Sequence, residues 1–233
     1  APELDDTLLI LPDDVTTAEI GAALSVVSNL AGASGRPATG LRVLPESQIL
    51  SVIERDEAGQ ESPQRAEAEV DTETDEAGDA RRREDRFLDP EDRDRHLLIV
   101  AAADHSRLLR RWSDVLPLST RAGRMELRPP HRGETMMEVL RARWPREEAE
   151  RAATFLLHAE HPSAVMGMES PLRFGRSVIA VTADDATNMP GVVDLQGYTE
   201  ARMEEGGDLL LLDGENRAVY NQKDRRPEIY RVG

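Results

Sequence analysis

The feature that most constrains the fold is a set of short aliphatic runs separated by segments with helical periodicity. The runs are Thr7–Leu11, 96–101, 177–182 and 208–212. A run of this length that is apolar at nearly every position is typical of a strand buried on both faces. Because such strands need helices on both sides, the pattern predicts one three-layer α/β domain over residues 1–233, with a mostly parallel sheet.

The remaining elements follow from the same reading. A further strand is predicted at 41–44 and a less regular one at 124–127. The Asp213-Gly214 dipeptide is typical of a hairpin turn and predicts a C-terminal antiparallel hairpin that pairs 208–212 with 217–220. Helices are predicted at 16–30, 45–53, 106–116, 134–143, 146–159 and 185–205.

The first helix has clear start and stop signals. Thr16 and Glu19 have the spacing of a capping box, and Gly32 and Gly35 end the pattern. The predicted buried face consists of Ile20, Ala23, Leu24, Val27 and Leu30.

Residues 54–94 interrupt this framework with a block of charge. The block holds 17 acidic and 7 basic residues, which is a net charge of −10 out of −16 for the whole chain. Among the larger apolar side chains it has only Val70, Phe87 and Leu88. It therefore has too little apolar surface to offset the entropy of ordering, and we predict a long disordered acidic insertion.

The composition excludes several classes of function. The acidic balance opposes nucleic acid as a partner, because a phosphate backbone requires a positive surface. Cysteine is absent, which excludes disulfides and thiolate metal sites. Aromatic residues make up 3% of the chain, so the core must be aliphatic and offers no stacking platform for bases or sugars. No segment approaches the roughly 20 apolar residues of a membrane span.

The loop after the first strand carries the pair Asp13 and Asp14. Two carboxylates here would repel a phosphate, and no glycine-rich phosphate motif occurs, so we expect no flavin, nucleotide or other cofactor. A paired aspartate is also typical of Mg²⁺-binding phospho-acceptor receiver domains, but Asp104 follows the third strand late and Lys223 is the only lysine. We predict that Asp13 and Asp14 cap the first helix.

Two histidines offer a weak metal motif. His158 and His161 are three residues apart, yet Pro162 follows at once and no third ligand has a recognisable spacing. Interaction of a helix-end histidine with last-turn carbonyls is the preferred interpretation. No nucleophile elbow is present, and we predict no catalytic residues and no metal site.

Several phrases occur together in one order. They are LLILPDD (8–14), LAGASGRPA (30–38), HLLIV (96–100), MESPL (168–172), GRSVIAVTA (175–183), GDLLLLDG (207–214) and YRVG (230–233). This ordered set resembles the C-terminal flavodoxin-like domain of the regulatory B subunit of bacterial cellulose synthase, the BcsB family.

The resemblance implies a non-catalytic scaffold that binds no flavin despite the name of the fold. It implies a periplasmic location, an inner-membrane association through a C-terminal anchor absent from this chain, and the catalytic A subunit as partner. That subunit polymerises glucose from UDP-glucose under cyclic di-GMP control. The alternative function is that of a receiver-like or other small-ligand-binding signalling domain.

The end of the chain is locally cationic. Residues 223–233 hold four basic and two acidic residues in a chain that is otherwise acidic. By its order in the family this ending precedes the anchor, so Arg225, Arg226, Tyr230 and Arg231 are predicted to face the membrane and the partner. A solvated edge strand protected by its charges is the alternative.

Overall fold

A six-stranded sheet organises the part of the chain that the structure describes. The computed structural model describes residues 4–60, 90–121, 124–127, 146–195 and 209–213. The strands are β1 (Thr7–Leu11), β2 (Arg42–Pro45), β3 (His96–Val100), β6 (Pro162–Glu169), β7 (Ser177–Ala183) and β8 (Leu209–Asp213), in the spatial order β2-β1-β3-β7-β6-β8. A separate antiparallel pair consists of β4 (Leu118–Arg121) and β5 (Arg124–Leu127).

Four neighbouring strands are parallel. β1 pairs with β2 and with β3, and β3 pairs with β7, all in parallel register. β6 runs antiparallel between β7 and β8. The predicted mostly parallel α/β fold is confirmed, and the β2-β1-β3 order is that of flavodoxin-like domains.

Helices cover both faces of the sheet. α1 (Thr17–Ser34) and a 3₁₀ segment (Ala186–Leu195) lie on one face, where Leu9, Leu98 and Val100 are buried. The other face, with Leu8 and Ile10, is covered by α2 (Glu46–Gln60), α4 (Arg107–Arg111), α5 (Arg146–His158) and the β4–β5 pair. Successive residues of β1 therefore enter different cores, as the pleat requires.

α1 begins and ends as its sequence predicts. The side chain of Thr16 accepts from the Glu19 amide, the Glu19 carboxylate accepts from the Thr16 amide, and Gly35 closes the helix at φ 66°. The predicted buried face is wrong in part. Ala22, Ala23 and Val26 are buried, whereas Ile20 and Leu24 are 41% and 68% exposed. Apolar residues surround this helix on most sides, so periodicity did not identify the inner face.

Other element predictions need correction. β6 was not predicted, because Pro162 and Gly167 weaken its strand pattern. The helix predicted at 106–116 ends at Arg111, and the described part of the 185–205 helix is a 3₁₀ segment. The 134–143 helix and the 217–220 arm of the C-terminal hairpin lie outside the described residues.

The acidic segment 54–94 has structured ends, so its predicted boundaries are too wide. α2 continues to Gln60, and a one-turn helix, α3 (Pro90–Arg93), precedes β3. Asp92 is 1% exposed and lies 2.7 Å from the Arg42 guanidinium. Residues 61–89 lie outside the described part of the chain, where the disorder stays a prediction.

Candidate functional site at the carboxyl edge of the sheet

Parallel α/β sheets bind ligands beyond the carboxyl ends of their strands. In this chain the edge is formed by the loops after β1, β2, β3 and β7, and it brings together the start of α1, α2 and α4. Two fully buried carboxylates, Glu19 and Glu46, lie at this edge with 0% and 2% exposure. Their contacts determine what the edge can bind.

Glu19 joins the start of α1 to the end of β3. Its carboxylate accepts from the Ala102 amide at 3.0 Å and from the Thr16 amide and hydroxyl at 2.8 Å each. The Nδ1 atom of His105 lies 3.1 Å from Oε2 and donates to it, because a carboxylate only accepts. Burial acts to raise the pKa of Glu19, but the bonds from Ala102, Thr16 and His105 outweigh it and hold the pKa below its ordinary value.

Glu46 joins the start of α2 to the start of α4. Its carboxylate accepts from the Ser106 hydroxyl at 2.7 Å and from the amides of Arg107 and Leu108 at 3.0 and 3.1 Å. Ser106 in turn accepts from the Leu109 amide at 3.1 Å and is the N-cap of α4. Three donors at this helix start are therefore satisfied by a side chain 60 or more residues away.

Asp13 contacts a different helix from the one predicted. The cap of α1 is Thr16, while Asp13 accepts from the Ser47 amide at 3.2 Å, in the first turn of α2. Arg107 lies 4.0 Å from the same carboxylate. The prediction that Asp13 and Asp14 cap α1 is wrong, because Thr16 is nearer and already has its reciprocal partner in Glu19.

Together these contacts engage several of the helix-start amides that would otherwise attract an anion. The amides at a helix start attract phosphate because they lack partners within the helix. Here amides at the starts of α1, α2 and α4 already donate to Thr16, Asp13 and Glu46, respectively. The chain's own oxygen atoms therefore take the place of an anionic ligand at these amides.

The receiver-like residues do not form a phospho-acceptor site among the described residues. Ala101, Ala102 and Ala103 directly follow β3 and are buried, and Asp104 is exposed beyond them. Asp13 is engaged with α2 and Arg107. Lys223 lies outside the described residues.

The two histidines of the metal motif have separate partners. His158 Nδ1 donates to the Thr154 carbonyl at 2.7 Å, which confirms the interpretation as a helix-end histidine. His161 lies near Asn188, whose amide also donates to Asp184 at 2.9 Å. Within the part of the chain that the structure describes, no group of three or more metal-ligating side chains occurs.

A short turn beyond β7 contains one further perturbed carboxylate. The hydroxyl and amide of Thr187 donate to Asp185 at 2.6 and 2.7 Å. These bonds, with a smaller contribution from His161, lower the pKa of Asp185. The arrangement is a local aspartate turn and is exposed to solvent.

The opposite edge of the sheet carries ion pairs that sequence reasoning did not identify. Asp92 contacts Arg42 and Arg95, Arg176 contacts Asp6, and Arg173 contacts Asp94 at 2.6 Å. Apart from Asp92 and Arg95, which are three residues apart, the paired residues are far apart in sequence and no local pattern pairs them. The signal that could have placed them is the strand order, which brings the starts of β1, β3 and β7 together.

The predicted membrane-facing residues belong to the C-terminal end of the chain. Arg225, Arg226, Tyr230 and Arg231 lie outside the described residues. No helix in the described ranges is both long enough and apolar enough to cross a membrane.

Sheet order and edge geometry define the class of protein: a flavodoxin-like α/β domain whose carboxyl edge is closed by its own side chains. Residues 82–181 match the family model described as "Cellulose synthase BcsB, second FD domain". The match confirms the predicted resemblance to the BcsB family over these residues and supports a role in the cellulose synthase regulatory subunit. A search of curated proteins found no match.

Proposed function

We propose that this chain is a non-catalytic, periplasmic scaffold domain of the cellulose synthase regulatory subunit. The observation that carries the proposal is the match of residues 82–181 to the second FD domain of BcsB. Association with the catalytic subunit is what that family implies, and the chain would act through its surfaces. A periplasmic location at the inner membrane is proposed on the same family match.

The carboxyl edge supports a non-catalytic role. General acid–base or nucleophilic chemistry requires a group that can reach a substrate atom. Glu19 and Glu46 are buried and hold four and three donors, respectively. Their carboxylates therefore serve to position α1, α2 and α4.

We further propose that Arg225, Arg226, Tyr230 and Arg231 face the membrane and the catalytic subunit. Their support is the local excess of positive charge in a chain of net charge −16. Arginine and tyrosine are suited to a headgroup layer, where the polar tip stays hydrated while the stem or ring meets lipid.

Co-isolation tests the scaffold proposal. The catalytic subunit would carry an affinity tag and be solubilised from membranes that also contain the full-length regulatory subunit. We expect this subunit to be retained, and to be lost when residues 1–233 are deleted while its anchor remains. Full retention of the deleted form would contradict a scaffold role for this domain.

The signalling alternative has its own test. Titration with FMN should leave flavin fluorescence unchanged, because the helix-start amides already have acceptors. Acetyl phosphate with Mg²⁺ should not phosphorylate Asp13, Asp14 or Asp104. Micromolar FMN binding, or an acid-labile phosphate on one of these residues, would favour the signalling function.

A further inference from the structure

The loop between β6 and β7 is held in one conformation by its own hydrogen bonds. The Ser170 amide donates to the Arg176 carbonyl at 2.6 Å, and the Gly175 amide donates to the Glu169 carboxylate at 2.8 Å. Gly175 has φ 80°, a left-handed conformation that glycine adopts without strain. The loop is therefore a defined turn.

Two ion pairs fix this turn to the rest of the sheet edge. Arg173 Nε lies 2.6 Å from Asp94, just before β3, and Arg176 contacts Asp6, just before β1. The Ser177 amide at the start of β7 also donates to His96 at 3.0 Å. The turn is thus tied to the starts of two other strands.

Phe174 lies at the tip of this turn and is 91% exposed. The chain has only eight aromatic residues (Phe, Trp and Tyr), and this one is exposed to solvent. The hydrogen bonds and ion pairs on both sides of it position the backbone that carries the ring. A single exposed apolar residue is common, but one displayed on a turn fixed from both sides has the form of a binding anchor.

We propose that Phe174 is an anchor that inserts into an apolar pocket on a partner protein. This inference rests on the proposed function, and the partner it commits to is the catalytic subunit of the synthase. The ring would fill a pocket, and the paired arginines would lie at the polar rim, where charges tune association.

Charge favours a protein pocket over a lipid surface. Docking on anionic lipid requires cations that are available to the headgroups. Arg173 and Arg176, the cations beside Phe174, are both paired with aspartates. One phenyl ring without such cations gives little membrane affinity, whereas one aromatic anchor can dominate a protein interface.

The test uses the assembled complex. Phe174→p-benzoyl-phenylalanine places a photo-crosslinker at the tip, and Leu157→p-benzoyl-phenylalanine, at an 80% exposed position on α5, is the matched control. Irradiation should join the position-174 variant, and not the control, to the tagged catalytic subunit. Phe174→Ala should weaken association by about tenfold or more, with Leu157→Ala near the parent and both melting temperatures unchanged.

The outcomes separate the two proposals. If the parent chain does not co-isolate with the catalytic subunit, the proposed function fails and the anchor fails with it. If the parent co-isolates but position 174 gives no adduct and Phe174→Ala binds normally, only the anchor fails. Binding of the purified chain to vesicles of anionic phospholipid that depends on Phe174 would also overturn it, in favour of a lipid surface.

Discussion

Single buried carboxylates determine the chemistry of the carboxyl edge at the scale of residues. Glu19 is fully buried and accepts from two backbone amides, a hydroxyl and an imidazole. A buried charge is tolerated only when it is satisfied to this degree. Because the same atoms occupy the place of an anionic ligand, Glu19 stabilises the fold and closes the site.

Glu19→Gln should lower the free energy of unfolding by about 2–3 kcal/mol near neutral pH, because an amide nitrogen replaces an acceptor oxygen. The pKa of Glu19 is lower in the folded protein than its ordinary value of 4.5, so the unfolded state binds the proton first. The parent should therefore lose stability as the pH falls below about 4.5, and its advantage over the variant should shrink.

Urea unfolding of both proteins at about pH 7 and about pH 3.5 measures this advantage. Glu126→Gln, at an exposed position on β5, is the control, and its free energy of unfolding should equal that of the parent at both pH values. If the free energies of unfolding of the parent and Glu19→Gln differ by the same amount at both pH values, the lowered pKa assigned to Glu19 is contradicted.

At the scale of elements, local signals succeed where the sequence contains the whole interaction. The capping box of α1 lies within four residues, and its prediction is confirmed. Glu46 and its nearest partner in sequence at the start of α4, Ser106, are 60 positions apart. Asp13 and Ser47 in α2 are 34 positions apart. No local sequence pattern encodes contacts over such separations. β6 was missed for a related reason: pairing with β7 and β8 compensates for its weak strand propensity.

Two glycines, one within α1 and one at its C-terminal cap, allow a paired test. Gly35→Ala should destabilise the protein by about 1 kcal/mol, because φ 66° is strained for alanine. Gly21→Ala should stabilise it by about 0.5–1 kcal/mol, because the position is within the helix and, apart from the helix's own neighbouring backbone, no atom lies within 4 Å of an added methyl group. Both shifts are measurable by urea unfolding, and shifts of the same sign would show that the end of α1 is wrongly placed.

At the scale of the whole molecule, the two edges of the sheet have different roles. The carboxyl edge is closed by Glu19, Glu46 and Asp13, whereas the opposite edge carries ion pairs and displays Phe174. This arrangement supports the proposed scaffold role, in which the domain acts through contacts on its surface. The predicted cationic ending at 223–233 would add a second contact surface.

Charge reversal tests that ending. Changing Arg225, Arg226 and Arg231 to Glu in the full-length subunit should weaken assembly with the catalytic subunit or reduce glucan output, because rim charges act on association. The melting temperature should stay close to that of the parent. If the triple variant assembles and supports glucan synthesis like the parent, residues 223–233 are instead a solvated edge strand protected by its charges.

The most direct measurement is incorporation of glucose from UDP-glucose into insoluble glucan, in the presence of cyclic di-GMP. Four preparations are compared: the purified chain alone, membranes with the catalytic subunit alone, membranes with the catalytic subunit and the intact regulatory subunit, and the latter membranes with residues 1–233 deleted from the regulatory subunit. The account predicts no product from the chain alone, glucan from the intact complex, and a fall to the level of the catalytic subunit alone after deletion. Glucose transfer by the chain alone, or undiminished glucan after deletion, would contradict it.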